Sequence, residues 1–137
     1  MSKKVLLSGI QPSGRAHIGN YFGAMKQFVD LQDTYENYIF IADFHALTTT
    51  KDRKVLEVNT LSVLLDYMAV GLDPKKVTLF KQSDVPQVTE LAWIFNCQMT
   101  TAFLELGHAY KDKKQRGLEA NAGLFTYPTL MAADILL

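Results

Sequence analysis

Three short apolar runs, Val5 to Leu7, Tyr38 to Ala42 and Val77 to Phe80, are each followed by a turn and then by a stretch of apolar residues three or four apart. This alternation of buried strand and amphipathic helix leaves few folds open. It predicts an α/β domain with a parallel sheet, right-handed crossovers and helices on both faces. The first helical stretch runs from about Gly19 to Thr34 and carries Phe22, Met25, Phe28, Val29 and Leu31 on one face. Asp52 can cap a second helix, whose apolar positions Val55, Val58, Leu61, Leu65 and Met68 recur at helical spacing up to Gly71. Ser83 or Asp84 can cap a third, with Pro86 in its first turn and Leu91, Ile94 and Phe95 facing inward.

In a parallel sheet of this kind the ligand lies beyond the carboxyl ends of the strands. The segments from Gly9 to Asn20, from Asp43 to Thr50 and from Gln82 to Pro86 are therefore the candidate site loops. The polar stretch from His108 to Asn121, with Lys111, Lys113, Lys114 and Arg116, interrupts the apolar rhythm and reads as a mobile surface element. Ala132 to Leu137 is apolar and helix-forming yet ends without a cap, so the expectation is a single truncated domain spanning residues 1–137.

Fourteen Lys and Arg balance fourteen Asp and Glu, so composition alone gives no sign of a nucleic-acid-binding surface. The single cysteine, Cys97, permits no internal disulfide and no cysteine-based metal cluster, which suits a reducing, cytoplasmic setting. His17, His45 and His108 lie far apart, and none has metal-ligand spacing, so no protein-held metal is expected. No apolar run approaches the roughly 20 residues needed to span a bilayer, and the run at Val5 is too short for an export signal.

The turn Gly9-Ile-Gln-Pro-Ser-Gly-Arg-Ala-His-Ile-Gly-Asn20 lacks the Gly-Lys-Ser/Thr of a P-loop and the Gly-x-Gly-x-x-Gly of a dinucleotide fingerprint. It leaves a His-Ile-Gly-Asn quartet at a helix start, where free backbone N–H groups attract phosphate. Gly19 gives a flat ring or a ribose room to approach the backbone. The plain alternative is an ordinary strand-to-helix connection in which His17 is a cap.

His17-Ile-Gly-Asn20 resembles the HIGH motif of class I aminoacyl-tRNA synthetases. Ser8-Gly-Ile-Gln-Pro-Ser-Gly14 with Gly19-Asn-Tyr21 is similar to the form found in the tryptophanyl-tRNA synthetase family. Ile41-Ala-Asp-Phe-His-Ala-Leu47, Thr78-Leu-Phe-Lys-Gln-Ser83, Tyr110-Lys-Asp-Lys113 and Tyr127-Pro-Thr-Leu-Met-Ala-Ala-Asp-Ile-Leu136 resemble the same family in the same order. The fourth HIGH position is Asn20, not the class-wide second histidine; it can donate a hydrogen bond but carries no charge. The resemblance implies the HIGH-motif half of a Rossmann-like catalytic domain. It implies ATP-dependent activation of L-tryptophan to tryptophanyl-adenylate, then transfer to tRNA(Trp). In the family, Gln11, Pro12 and Ser13 would face the carboxylate and the α-phosphate, and His17, Gly19 and Asn20 would hold the nucleotide. Lys113 would reach the ATP phosphates, bridged by Mg²⁺; its other reading is one more residue of a solvated basic loop.

Tyr127, Met131 and Asp134 stand at i, i+4 and i+7, one stripe of a helix expected to begin after Pro128. A carboxylate between Ala133 and Ile135 is unusual, since burying one unpaired costs on the order of several kcal/mol. An indole N–H donates and an ionised Asp accepts, so the two suit each other; the other reading pairs Asp134 with a core cation. The resemblance places Leu7 and Gly9 along the indole slot, Tyr127 at the α-amino end and His45 at the border. It further implies a homodimer when full length, with the helix from Pro86 to Gln98 and its Trp93 in the interface; the other reading of that helix is plain core packing. The Lys-Met-Ser-Lys-Ser loop and the anticodon-binding helical domain of the family are absent from these residues. Three rival readings remain: a tyrosyl-tRNA synthetase, a small HIGH-type nucleotidyltransferase and a non-catalytic binding fragment.

Overall fold

Each strand is built round one of the short runs noted above, Val5 to Leu7, Tyr38 to Ile41 and Val77 to Phe80. In the computed structural model, which describes residues 3–137, β1 (Val5–Ile10), β2 (Glu36–Ile41) and β3 (Val77–Lys81) form one parallel sheet in the order β1-β2-β3. The register pairs Gly9 with Phe40 and Phe40 with Phe80. Three parallel strands with helices around them are the Rossmann-like α/β class expected from the alternation. The chain divides into two compact units, Met1–Asp84 and Val85–Leu137.

In the first unit the even-numbered residues of β1 and the odd-numbered ones of β2 and β3 face a core built from Met25, Phe28, Ile39, Ile41, Val63, Tyr67, Leu72 and Val77. Leu6, Ile10 and Leu79 extend that core. Both crossover connections contribute to it, which is what two successive right-handed crossovers in a 1-2-3 strand order require. The opposite face carries Val5, Leu7, Gly9, Tyr38, Phe40, Thr78 and Phe80.

The first connection is a nearly continuous helix: α1 (Ile18–Asn20), a π-helical turn (Tyr21–Met25) and α2 (Lys26–Leu31). The wide π turn shifts the side-chain register, so Met25 and Phe28 are buried while Phe22, expected on the same face, is 59% exposed. The second connection contains the short α3 (Asp43–Ala46) and then α4 (Arg53–Ala69), capped by the Asp52 carboxylate, which accepts from the Val55 N–H at 3.0 Å. The face expected to be buried, Val55, Val58, Leu61, Leu65 and Met68, is the exposed one. Apolar residues populate two faces of α4, so spacing alone does not choose between them. The core takes the face with Val63 and the larger Tyr67, whose hydroxyl donates to the Phe40 carbonyl at 3.4 Å. Burial pushes that hydroxyl above the usual tyrosine range. Gln32, also buried, donates to the Gly71 carbonyl and accepts from the Asp73 N–H, closing the chain reversal after α4.

The second unit consists of α5 (Gln87–Gln98), α6 (Thr101–Leu104), α7 (His108–Gln115) and α8 (Ala122–Leu136). Helices α5 and α8 pack through Val88, Ala92 and Ala133, joined by Leu91, Phe95 and Leu130. Ile94, expected inside, is 55% exposed, because Ala92 and Phe95 take the contact face. Neither Ser83 nor Asp84 caps α5, which begins after Pro86 without a side-chain cap. Asp84 turns back instead to accept from the Lys81 N–H, which holds its carboxyl below the usual range. Residues 108–115, read from the sequence as a mobile surface element, are helical. Their end is closed by Gly117 in the left-handed region at φ 66°, with the Gly117 and Leu118 N–H groups bonded to the Lys114 and Lys113 carbonyls.

The tight spot in the sheet is Gly9. A Cβ there would lie 2.5 Å from the Phe40 carbonyl oxygen and 2.8 Å from Phe40 Cδ2, in neighbouring backbone and a buried ring. Gly9→Ala should therefore destabilise the protein by about 1–3 kcal/mol, the usual size of an overpacking cost. Urea unfolding measures this; an unchanged midpoint would show that β1 can move away from β2.

Candidate active site at the carboxyl ends of the strands

β1 ends at Ile10, whose carbonyl accepts from the Ala42 N–H at 2.9 Å, and the chain then turns on its own backbone. The Ser13 N–H donates to the Gln11 carbonyl at 2.9 Å around a fully buried Pro12. Gly14 follows at φ 125°, a conformation that favours glycine. Gln11 is half-buried and Ser13 exposed. The Ala16 N–H then donates to an Asp66 carboxylate oxygen on α4 at 3.2 Å.

His17 is the N-cap of α1. Its Nδ1 accepts from the Gly19 N–H at 3.0 Å and the Asn20 N–H at 3.3 Å, while Asn20 Oδ1 accepts from the His17 N–H at 3.0 Å. This reciprocal pair satisfies donors at the helix start that would otherwise have no partner. It also fixes chemistry. With Nδ1 used as an acceptor, the neutral ring carries its proton on Nε2, and Asn20, its oxygen engaged, has its NH₂ to offer. Two uncharged donors thus stand at the start of one helix, on an exposed His17 and a half-buried Asn20. Gly19 is required by the same arrangement, since a Cβ would come within 2.9 Å of His17 Cε1.

At the ends of β2 and β3 a second set of hydrogen bonds joins the other two loops of this unit. Asp43 accepts from the Ser83 N–H at 2.9 Å and from the Ser83 hydroxyl at 2.5 Å. The side chain of Gln82 is 1% exposed and its Oε1 accepts from the Phe44 N–H at 3.1 Å and the His45 N–H at 3.3 Å. The half-buried His45 is therefore held through its backbone. Leu7 and Gly9 lie on the sheet face that carries Tyr38, Phe40 and Phe80; the rings of Phe40 and Phe80 are 5.7 Å apart. Leu7, at 39% exposure, leaves apolar surface open on that face.

The remaining residues singled out in the sequence belong to the second unit. Lys113 lies half-buried in the last turn of α7. Tyr127, Met131 and Asp134 share a stripe of α8, with Met131 48% exposed and the other two half-buried. Helix α8 begins at Ala122, not after Pro128. The Asn121 side chain accepts from the Leu124 N–H at 2.8 Å and starts the helix, and Pro128 is carried inside it, where it lacks the N–H of the normal ladder. Asp66 and Gln82 were missed as site residues by sequence reasoning. Gln82 lies within a quoted motif and opens a candidate loop, but nothing in the sequence marks which backbone groups it serves. Asp66 looks like any polar residue of an amphipathic helix.

Three parallel strands with a HIGH-like turn after β1 are a class I synthetase fold, and comparison with known proteins agrees. The chain belongs to the family of class I tRNA synthetases for tryptophan and tyrosine, which it matches over residues 2–137. It is 60% identical to the tryptophan–tRNA ligase of Fusobacterium nucleatum over 131 residues, 96% of this chain and 40% of the relative. It is 57% identical to that of Rhodopirellula baltica over 131 residues, 96% of this chain and 41% of the relative. The crystal structure of Campylobacter jejuni tryptophanyl-tRNA synthetase complexed with ADP and tryptophan superposes with a TM-score of 0.88 at 48% identity, covering 96% of this chain and 41% of that one. The chain thus spans about two fifths of the length of the relatives it matches.

Gln82→Leu, similar in size but without an acceptor, removes the side-chain partner of the His45 N–H in a buried setting. A loss of about 1–3 kcal/mol is expected. Chemical denaturation with the variant unfolding at the wild-type midpoint would contradict the role assigned to Gln82.

Proposed function

We propose that the protein carrying these residues is a tryptophan–tRNA ligase, which activates L-tryptophan with ATP and transfers it to tRNA(Trp). The observation that carries the proposal is the reciprocal His17–Asn20 cap after β1, in a chain 60% identical to one such ligase. A relative 48% identical to this chain holds ADP and tryptophan.

In the activation step a carboxylate oxygen of tryptophan attacks the α-phosphorus of ATP, the bond to the bridging oxygen breaks, and pyrophosphate leaves with that electron pair. The nucleophile is already ionised at neutral pH, so the reaction needs no general base. The task of the protein is positioning and stabilisation of charge at the transferring phosphoryl group. Gln11, Pro12 and Ser13 form the turn facing the carboxylate and α-phosphate. His17 Nε2–H and the Asn20 NH₂ supply neutral donors to the nucleotide, and Gly19 leaves room for it to approach the backbone, so their contribution does not depend on a charged side chain. Lys113 supplies a cation to the phosphates. Mg²⁺, if carried in with ATP, would offset charge on the transferring phosphates; among the described residues no group of three or more His, Cys, Asp or Glu could hold it alone.

For the amino acid, Leu7 and Gly9 line the indole slot, Met131 packs a thioether against the ring, and Asp134 accepts from the indole N–H. Tyr127 approaches the α-amino group and His45 borders the pocket. The Lys-Met-Ser-Lys-Ser loop and anticodon-binding domain of such a ligase would come from outside these residues. The working form is a cytoplasmic homodimer in which α5, with Trp93 at 69% exposure, meets its copy. No helix among the described residues is long and apolar enough to cross a membrane.

Thermal unfolding with non-hydrolysable tryptophanyl- and tyrosyl-adenylate analogues tests the assignment. At a ligand concentration about 100 times Kd, stabilisation of about 2.7 kcal/mol is expected for the tryptophanyl analogue. The tyrosyl analogue should have far less effect, and Asp134→Ala should abolish the response. An equal response to both, or one indifferent to Asp134→Ala, would sink the pocket assignment.

A further inference from the structure

We propose that Asp66 is a positioning residue for nucleotide binding, acting through the backbone of the HIGH-like turn. This inference rests on the function proposed above. Asp66 sits in the last third of α4 with its carboxylate half-buried, and one oxygen accepts from the Ala16 N–H at 3.2 Å, fifty residues away in sequence. Ala16 immediately precedes the His17 cap, and it packs against the first unit's core. Its N–H lies before the helix, where no carbonyl of an earlier turn can accept it, and the acceptors of the cap, His17 Nδ1 and Asn20 Oδ1, are taken by other N–H groups. Asp66 is thus the side chain that anchors the turn where it passes from irregular backbone into helix.

The neighbouring Tyr67 reaches the strand below. Its hydroxyl donates to the Phe40 carbonyl at 3.4 Å, beside the position where Phe40 closes on Gly9. Adjacent residues of α4 therefore hold the sheet and the turn in one frame, Tyr67 from inside the core and Asp66 from its edge. A carboxylate suits the second task because a charge-assisted bond to a backbone N–H is stronger than a neutral one. The bond also fixes the point from which the His17 side chain departs, at φ −111° and ψ 172°. Without it, the turn would lose the orientation of the His17 Nε2–H and Asn20 NH₂ donors, which serve the nucleotide and not the indole.

The test compares Asp66→Ala with Asp66→Asn, which keeps an acceptor, on the intact protein. Amide hydrogen exchange at Ala16 and His17 is measured together with the separate affinities for a non-hydrolysable ATP analogue and for L-tryptophan. Asp66→Ala should accelerate exchange at Ala16 and His17 and weaken the ATP analogue about tenfold, the effect of one lost charge-assisted bond. Tryptophan affinity should stay within about twofold, and Asp66→Asn should recover most of the loss. Faster exchange with unchanged ATP affinity would overturn the positioning role and leave the proposed function standing. Equal losses for both ligands would mark Asp66 as merely structural and likewise overturn the proposal. Wild-type protein that binds tryptophan but no ATP analogue would overturn the function itself, and the role of Asp66 with it.

Discussion

The structure depends on how closely β1 approaches β2 at Gly9. With no side chain there, the Phe40 carbonyl and ring occupy the space a Cβ would need, and the parallel register carries on to the pairing of Ile10 with Ile41. That register sets where β1 ends and where its turn leaves the sheet. From there each step is short: the Ile10 carbonyl takes the Ala42 N–H, Pro12 is buried, the turn reverses at Gly14, and His17 starts the helix. The site loops sit at the carboxyl ends because all strands point one way, and the donors at the helix start are available because the turn delivers them there.

The chemistry follows from neutrality. A chain with equal numbers of cationic and anionic residues has no net positive charge to attract a nucleotide. Its first unit instead presents aligned donors, two from side chains whose other polar atoms are already engaged. An engaged Nδ1 and an engaged Oδ1 leave His17 and Asn20 little rotational freedom, so the nucleotide binding proposed above would cost little ordering entropy at these two side chains. The set of bonds among Asp43, Gln82 and Ser83 does the same for the neighbouring loops, using a buried carboxamide to fix backbone amides.

Legibility from sequence varied with the kind of signal. Strand–helix alternation gave the sheet and its parallel sense, because few folds satisfy that order. Residue spacing misjudged α4, where apolar side chains line both faces and only the size and shape of the core favoured Val63 and Tyr67 over Val58 and Leu65. It also misjudged Phe22, displaced by a π turn that no periodicity announces, and the start of α8, which is set by the Asn121 cap and carries Pro128 inside the helix. The HIGH-like turn was legible because its residue types are rare in that order. Asp66 and Gln82 were not, since their partners are backbone groups distant in sequence, and backbone groups leave no letter in a sequence.

The central claim is that the turn from Gln11 to Asn20 is the nucleotide-binding element of a tryptophan-activating enzyme. The most direct measurement is a crystal structure of the protein with a non-hydrolysable tryptophanyl-adenylate analogue. The account predicts the phosphate beside Gln11 to Ser13, the ribose and adenine against His17, Gly19 and Asn20, and the indole N–H donating to Asp134. An analogue bound away from the carboxyl end of β1, or with the indole N–H paired to another acceptor, would contradict it.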